Sequence, residues 1–181
     1  MNPATATFAS TAAIAMALQA QLRQVQLPNA GGAAFQRVEL FEMVDIMDAF
    51  RRLLISEQQI AIIVAHDATW HRECQQRKLL IRRAQAFSIL ISDRVIGART
   101  SALYGGSSNE GAFNLSFLVH PYVTGQLLNN PGGVVCCPAR EGAIGFKDPE
   151  KNNLPGRAVV NLEVDCDGGW IETYLNVGIT L

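Results

Sequence analysis

Ala158-Val159-Val160-Asn161-Leu162-Glu163-Val164-Asp165-Cys166 is the stretch that decides the fold. Ala158, Val160, Leu162, Val164 and Cys166 alternate with Val159, Asn161, Glu163 and Asp165. A period of two means a strand with one apolar face, because successive side chains on a strand point to opposite sides. Asp167-Gly168-Gly169 follows as a turn signal, and Ile171 to Ile179 resumes a strand-like pattern. The pair predicts a C-terminal β-hairpin whose Val160, Leu162 and Val164 face helices.

Working backwards from this hairpin, Val134 to Ala139 reads as another strand. A loop rich in Gly, Asn and Pro runs from Glu141 to Gly156. Leu79 to Ser92 is a long strand, with Phe87, Ile89 and Ile91 on one face and Ser88, Leu90 and Ser92 on the other. Asp93-Arg94 closes it. Ile60 to Ala65 is a β-branched apolar run that suits a strand covered on both faces. His66 to Gln76 is polar and reads as a loop. Phe35 to Phe41 is a further strand.

Three segments carry helical spacing. Thr7 to Val25 places Phe8, Ile14, Ala15, Leu18, Leu22 and Val25 on a stripe. Met43 to Leu54 places Val44, Met47 and Leu54 on one side. Its acids Asp45 and Asp48 precede Arg51 and Arg52, the order that complements a helix dipole. Phe113 to Leu128 is the third, with a kink or restart expected at Pro121. Gly105 to Asn109 is a loop. Helices and strands do not alternate regularly, which argues against a doubly wound parallel sheet. The expected class is α+β: a mixed, largely antiparallel sheet with helices packed against one face. The expected organisation is one domain over 1–181, with helix and loop in 1–34 and sheet and helices in 35–181.

The chain has 181 residues, 49% of them hydrophobic and 17% charged, which excludes a disordered chain. Fifteen Lys and Arg stand against 16 Asp and Glu, a net charge of −1, so no global basic field holds nucleic acid. The segment Met1 to Gln21 has no basic residue before Arg23, and Gln19 and Gln21 interrupt its small apolar residues. It reads as an ordinary helix rather than a leader or membrane span, so the cytoplasm is the expected compartment and no membrane partner is expected.

Chemistry-bearing motifs are sparse. His66, Asp67, His71 and Cys74 form a His-x4-His-x2-Cys run that could supply zinc ligands, but no second ligand pair follows at a typical distance. Cys136 or Cys137 with His120 could serve as a thiol nucleophile and base, yet Cys-Cys-Pro in an apolar strand reads as packing. All four cysteines, Cys74, Cys136, Cys137 and Cys166, are expected as free thiols. No nucleophile elbow, Walker loop or dinucleotide-binding glycine motif is present. The expectation is therefore no enzyme, no cofactor and no metal site.

Arg72, Arg77, Lys78, Arg82, Arg83, Arg94 and Arg99 concentrate seven of the 15 basic residues in one stretch. They are candidate interface or lumen residues for an acidic protein neighbour or for passing DNA held by phosphate contact. Their exposure is expected to make Arg82 and Arg83 of little weight for folding.

The segment Arg82-Arg83-Ala84-Gln85-Ala86-Phe87-Ser88-Ile89-Leu90-Ile91-Ser92-Asp93-Arg94 resembles the central strand of the tail terminator and neck (head-tail joining) proteins of long-tailed phages. The parts after it are ordered similarly: a Gly-containing loop over Gly105 to Gly111, a helix over Asn114 to Leu128, and a C-terminal antiparallel pair. Gly125-Gln126-Leu127-Leu128 sits at the helix end, before a strand carrying Pro138. The resemblance covers the chain from about Phe35 onward. It implies a virion protein, assembled in the host cytoplasm, that forms a homohexameric ring at the head-proximal end of the tail. Its partners would be itself, the tail tube protein and the head connector or neck protein. Related alternatives are a tail tube or head-completion subunit. The alternative of a different class is a small metal- or thiol-dependent enzyme using His66, His71 and a cysteine.

Overall fold

The sheet is organised around one long strand, which the computed structural model places at Lys78–Arg94. Residues 8–28, 31–41, 57–75, 78–127, 133–144 and 156–174 are described. The elements run α1 (Thr11–Leu22), β1 (Arg37–Phe41), β2 (Gln59–Gln75), β3 (Lys78–Arg94), α2 (Arg99–Tyr104), α3 (Ala112–Val123), β4 (Gly125–Gln126), β5 (Val135–Ala143) and β6 (Arg157–Tyr174). The six strands form one sheet in the order β1-β2-β3-β6-β5-β4. Among the described residues only β1 with β2 is parallel; the other pairings are antiparallel. The fold is therefore α+β with a mixed, largely antiparallel sheet, as the sequence pattern implies.

The lower half of the sheet is buried on both faces, and period two decides which residue goes where. Phe87, Ile89 and Ile91 of β3 join Ala61 and Ile63 of β2 and Leu162 and Val164 of β6 on the helix face. There they meet Ile14, Leu18 and Leu22 of α1 and Leu115, Val119 and Val123 of α3. Val160 and Ala158 meet Ala102 of α2 and Ala112 of α3. On the opposite face Ile60, Ile62, Val64, Leu90 and Val159 form a second buried cluster. All three described helices pack against the one face.

α1 begins at Ser10, whose hydroxyl accepts a bond from the Ala13 N–H at 3.1 Å. Its buried residues Ile14, Leu18 and Leu22 recur every fourth position. It is shorter than the Thr7 to Val25 periodicity suggests, because Val25 is already held by the loop bond from the Ala34 N–H at 2.8 Å. α3 contains Pro121 in its last turn, on its solvent side. It stops at Val123 rather than reaching Leu128, since Gly125 at φ +90° turns the chain into β4. The six-residue α2 has no apolar periodicity of its own to announce it.

Four expectations are corrected. First, the polar segment from His66 onward is not a loop: β2 continues to Gln75, paired residue by residue with β3 down to Gln75 opposite Lys78. Cross-strand pairing overrides polar composition here. Second, Asp167-Gly168-Gly169 is not a turn, and the C-terminal hairpin does not form. β6 passes through this point and stays on β3, pairing Trp170 with Arg82 and Ile171 with Ile81. The extra residue is absorbed as a bulge, with Gly169 at φ +72°. Third, Cys136 and Cys166 are not free thiols. They stand opposite each other on β5 and β6, Cα to Cα 4.2 Å, and form a disulfide. Cys74 and Cys137 are free and exposed. Fourth, the loop expected from Glu141 starts later, because β5 runs on to Ala143. The helix expected over Met43 to Leu54, most of that loop, and residues 175–179 lie outside the described residues.

Candidate interaction surfaces

The three central strands outrun the helices. Beyond Phe87, β2, β3 and β6 continue as an arm with partly exposed faces: Asp67, Thr69, Trp70, His71, Arg72 and Cys74 of β2 are exposed, and residues 78–84 of β3 are half-buried. A bulge starts the arm. His66 and Asp67 both stand where Ala86 is the single opposing residue, and His66 hydrogen-bonds the Ser88 hydroxyl at 2.8 Å.

The strand period splits the basic stretch. β3 alternates regularly, so Arg83 falls on the helix face and Arg82 on the opposite one. Arg83 is tied to the N-terminal end of α1. Its guanidinium donates to the Ala9 carbonyl and to Gln85 Oε1, each at 2.8 Å, and to the Thr11 hydroxyl. It also lies 5.8 Å from the Trp70 ring centre, and Phe8 meets that ring edge-on at 5.3 Å. Arg83 is thus a folding residue, contrary to the reading of a free surface charge. Arg82 pairs with Asp167, and Lys78 with Glu172 at 2.9 Å. Arg72 is exposed at the arm, and Arg94 is exposed at the other end of β3. Neither forms an ion pair among the described residues. Arg99 opens α2, and Arg77 lies outside the described residues. The seven positions therefore do not make one basic track.

The His-x4-His-x2-Cys run is separated in the same way. His71 and Cys74 are three apart on a strand, so they point to opposite faces, and His66 is engaged by Ser88. Among the described residues no group of three His, Cys, Asp or Glu is placed to hold a metal ion. Cys136 is in the disulfide, which removes it as a nucleophile. His120 lies 3.9 Å from Glu141 rather than beside a thiol.

Two further features carry no signal in the sequence. An open groove of about 380 Å³ lies on the face opposite the helices. Ala84 and Ala86 line it with Asp67, His71, Arg82 and Asp165. At the base of the sheet a buried polar cluster joins strand ends to the loop before α3. Asp93 is fully buried; its carboxylate accepts the Gly111 N–H at 2.9 Å and the Gln59 amide at 3.5 Å. Burial pushes the Asp93 pKa up, against the opposing pull of the bonds from Gly111 and Asn109. Arg157, 3% exposed, donates to the Gln58 carbonyl at 3.0 Å and to the Glu57 carbonyl, and burial lowers its pKa. Asn109 completes the clamp by bonding the Arg94 carbonyl and the Ile96 N–H.

The outer side of α3 is aromatic. Phe117 is 72% exposed and Tyr104, at the end of α2, is 63% exposed. Tyr104 stacks on Phe113 at 5.6 Å, and Phe117 lies 6.0 Å from His120. α3 contains no Asp, Glu, Lys or Arg. Phe113 and Phe117 are four residues apart and so lie on one side of α3, and exposed apolar groups gathered on one side mark interaction sites.

Among the described residues no helix is long and apolar enough to cross a membrane. Compared with known proteins, the chain matches no family model and no curated relative.

Proposed function

We propose that this chain is a structural virion subunit that forms a ring of six copies at the head-proximal end of a long phage tail. There it ends the tail tube and joins tail to head. The observation that carries the reading is the arm: three strands run past the helical core together with partly exposed faces, and among the described residues both outer edges are unpaired. On β2 the residues Thr69 to Arg72 have β3 on one side only among the described residues, and on β6 the same holds for Gly169 to Ile171. Exposed strand edges are templates for contact with other chains, and a monomeric protein usually shortens or covers them. The resemblance of the Arg82 to Arg94 segment, and of the loop and helix that follow it, to tail terminator and neck proteins supplies the assembly in which such contacts would serve; the C-terminal pair that the resemblance also implied is replaced by the single strand β6. The dispersal of the basic residues favours protein neighbours over a DNA-lining track. The partners proposed are further copies, the tail tube protein and the head connector.

Negative-stain electron microscopy of the purified protein tests this. Closed rings of six are expected. Stacked open tubes would shift the assignment to a tube subunit, and a protein that stays monomeric at its highest soluble concentration would refute the reading.

A further inference from the structure

We propose that the arm of one copy docks its Trp70–Arg72 side onto the aromatic outer face of α3 of a second copy, head to tail. This rests on the ring reading and names its junction. One chain carries two surfaces of matching chemistry. The first is the α3 face, where Tyr104, Phe113 and Phe117 form an uncharged aromatic strip. Acids stand at both ends of it: Glu110 just precedes the helix, and Glu141 of β5 lies 3.9 Å from His120. The second is the helix-side face of the arm. Trp70 is 51% exposed there, held in place by Phe8 and by the Arg83 guanidinium. Two residues on, Arg72 projects from the same face of β2 and forms no ion pair among the described residues.

An aromatic ring beside a cation that has no ion pair among the described residues thus complements an aromatic strip with acids at its ends. Trp, Tyr and Arg are the residue types that dominate interface energetics when they are buried together. The charges would set orientation and encounter rate, and the rings would supply the dry contact. The two surfaces differ from each other, so the contact is heterologous, and repeating it yields a closed ring when the rotation closes. α3 packs through Leu115, Val119 and Val123 on the core half of the sheet, while Trp70 and Arg72 lie on the part that extends past it. A second copy is therefore the partner that brings the two together.

The test uses two single variants of the full chain, Phe117→Ser and Arg72→Glu, read by sedimentation velocity. Among the described residues Phe117 belongs to no buried core cluster and Arg72 forms no ion pair, so both should melt like wild type. Each alone should associate roughly 30-fold more weakly than wild type, the scale of a lost interface hot spot. An equimolar mixture should give heterodimers and nothing larger, because only one junction, between the intact arm of Phe117→Ser and the intact helix face of Arg72→Glu, can form. Rings from either variant at wild-type concentrations would overturn the junction and leave the ring reading standing. A mixture that forms no complex would also overturn the junction. A monomeric wild type would overturn both.

Discussion

Arg82 and Arg83 are neighbours of the same chemistry, and the structure predicts opposite consequences for losing them. Arg83→Ala removes two bonds of 2.8 Å, to the Ala9 carbonyl and Gln85 Oε1, together with the bond to the Thr11 hydroxyl and the cation over Trp70. Gln85, 1% exposed, keeps the Thr11 hydroxyl as a donor to Oε1 at 2.8 Å, so the acceptor left short is the Ala9 carbonyl. A buried acceptor deprived of its partner costs about 1–3 kcal/mol. Losing an exposed cation–π contact adds roughly 0.5–1 kcal/mol. Arg83 is only half-buried, so water recovers part of this, and the expected loss is about 2 kcal/mol. Arg82→Ala removes a pair with Asp167 whose side chains are 37% and 31% exposed, and such pairs contribute about 0–1 kcal/mol. Urea unfolding followed by tryptophan fluorescence measures both variants. With a slope of about 2 kcal/mol per molar urea, Arg83→Ala should lower the midpoint by about 1 M and Arg82→Ala by a small fraction of that. Equal midpoints for the two variants would refute the assignment of Arg83 to the docking of α1.

Three other outcomes follow from the same geometry. Because burial raises the Asp93 pKa, this group favours the folded state fully only below its ordinary carboxylate value and loses that contribution as pH rises through the raised folded value. Asp93→Asn keeps an acceptor for the Gly111 N–H, so its stability relative to wild type should improve with rising pH; thermal melts across a pH series showing the reverse trend would contradict this. The Cys136–Cys166 disulfide closes a separation of 30 residues, for which chain entropy predicts about 3–4 kcal/mol. Reductant should therefore lower the melting temperature, and alkylation of the denatured, unreduced protein should label Cys74 and Cys137 only, as read by mass spectrometry. Gly111→Ala would place a Cβ 2.2 Å from the Gly105 nitrogen at a φ of +89°, and a loss above about 3 kcal/mol is expected from calorimetry.

The core half of the sheet was readable because its residues obey one rule each. Phe87, Ile89 and Ile91 alternate, Ile60 to Ala65 is apolar on both faces, and burial follows. The arm was not readable, because nothing local marks it. Trp70, Arg72 and Cys74 alternate with Thr69, His71 and Glu73, but both sets are polar enough to pass for a loop; the strand exists through its register with β3. Gly168-Gly169 carries the signature of a turn, and only pairing on β3 makes it a bulge. The disulfide depends on β5 standing one strand away with Cys136 level with Cys166, a tertiary fact that spacing cannot supply. Arg82 and Arg83 look alike in a list of basic residues, and the direction of one backbone pleat separates a solvated pair from an anchor. α3 itself was visible as helical spacing, but its aromatic side was not, because Phe117 is indistinguishable by type from a core residue.

The continuity of β2, β3 and β6 from core to arm tip has a mechanical consequence. β3 pairs with β6 from Lys78 opposite Tyr174 to Arg94 opposite Arg157, with a bulge opposite Arg83 but no intervening loop. Hydrogen bonds of an antiparallel ladder lie across the strands. A load applied along the arm is therefore carried in shear by many bonds at once, whereas a sideways load peels them singly. A subunit built this way would resist being pulled along its strands far more than being bent across them. Pulling from Lys78 and from the α1 end should give clearly different rupture forces for the same molecule.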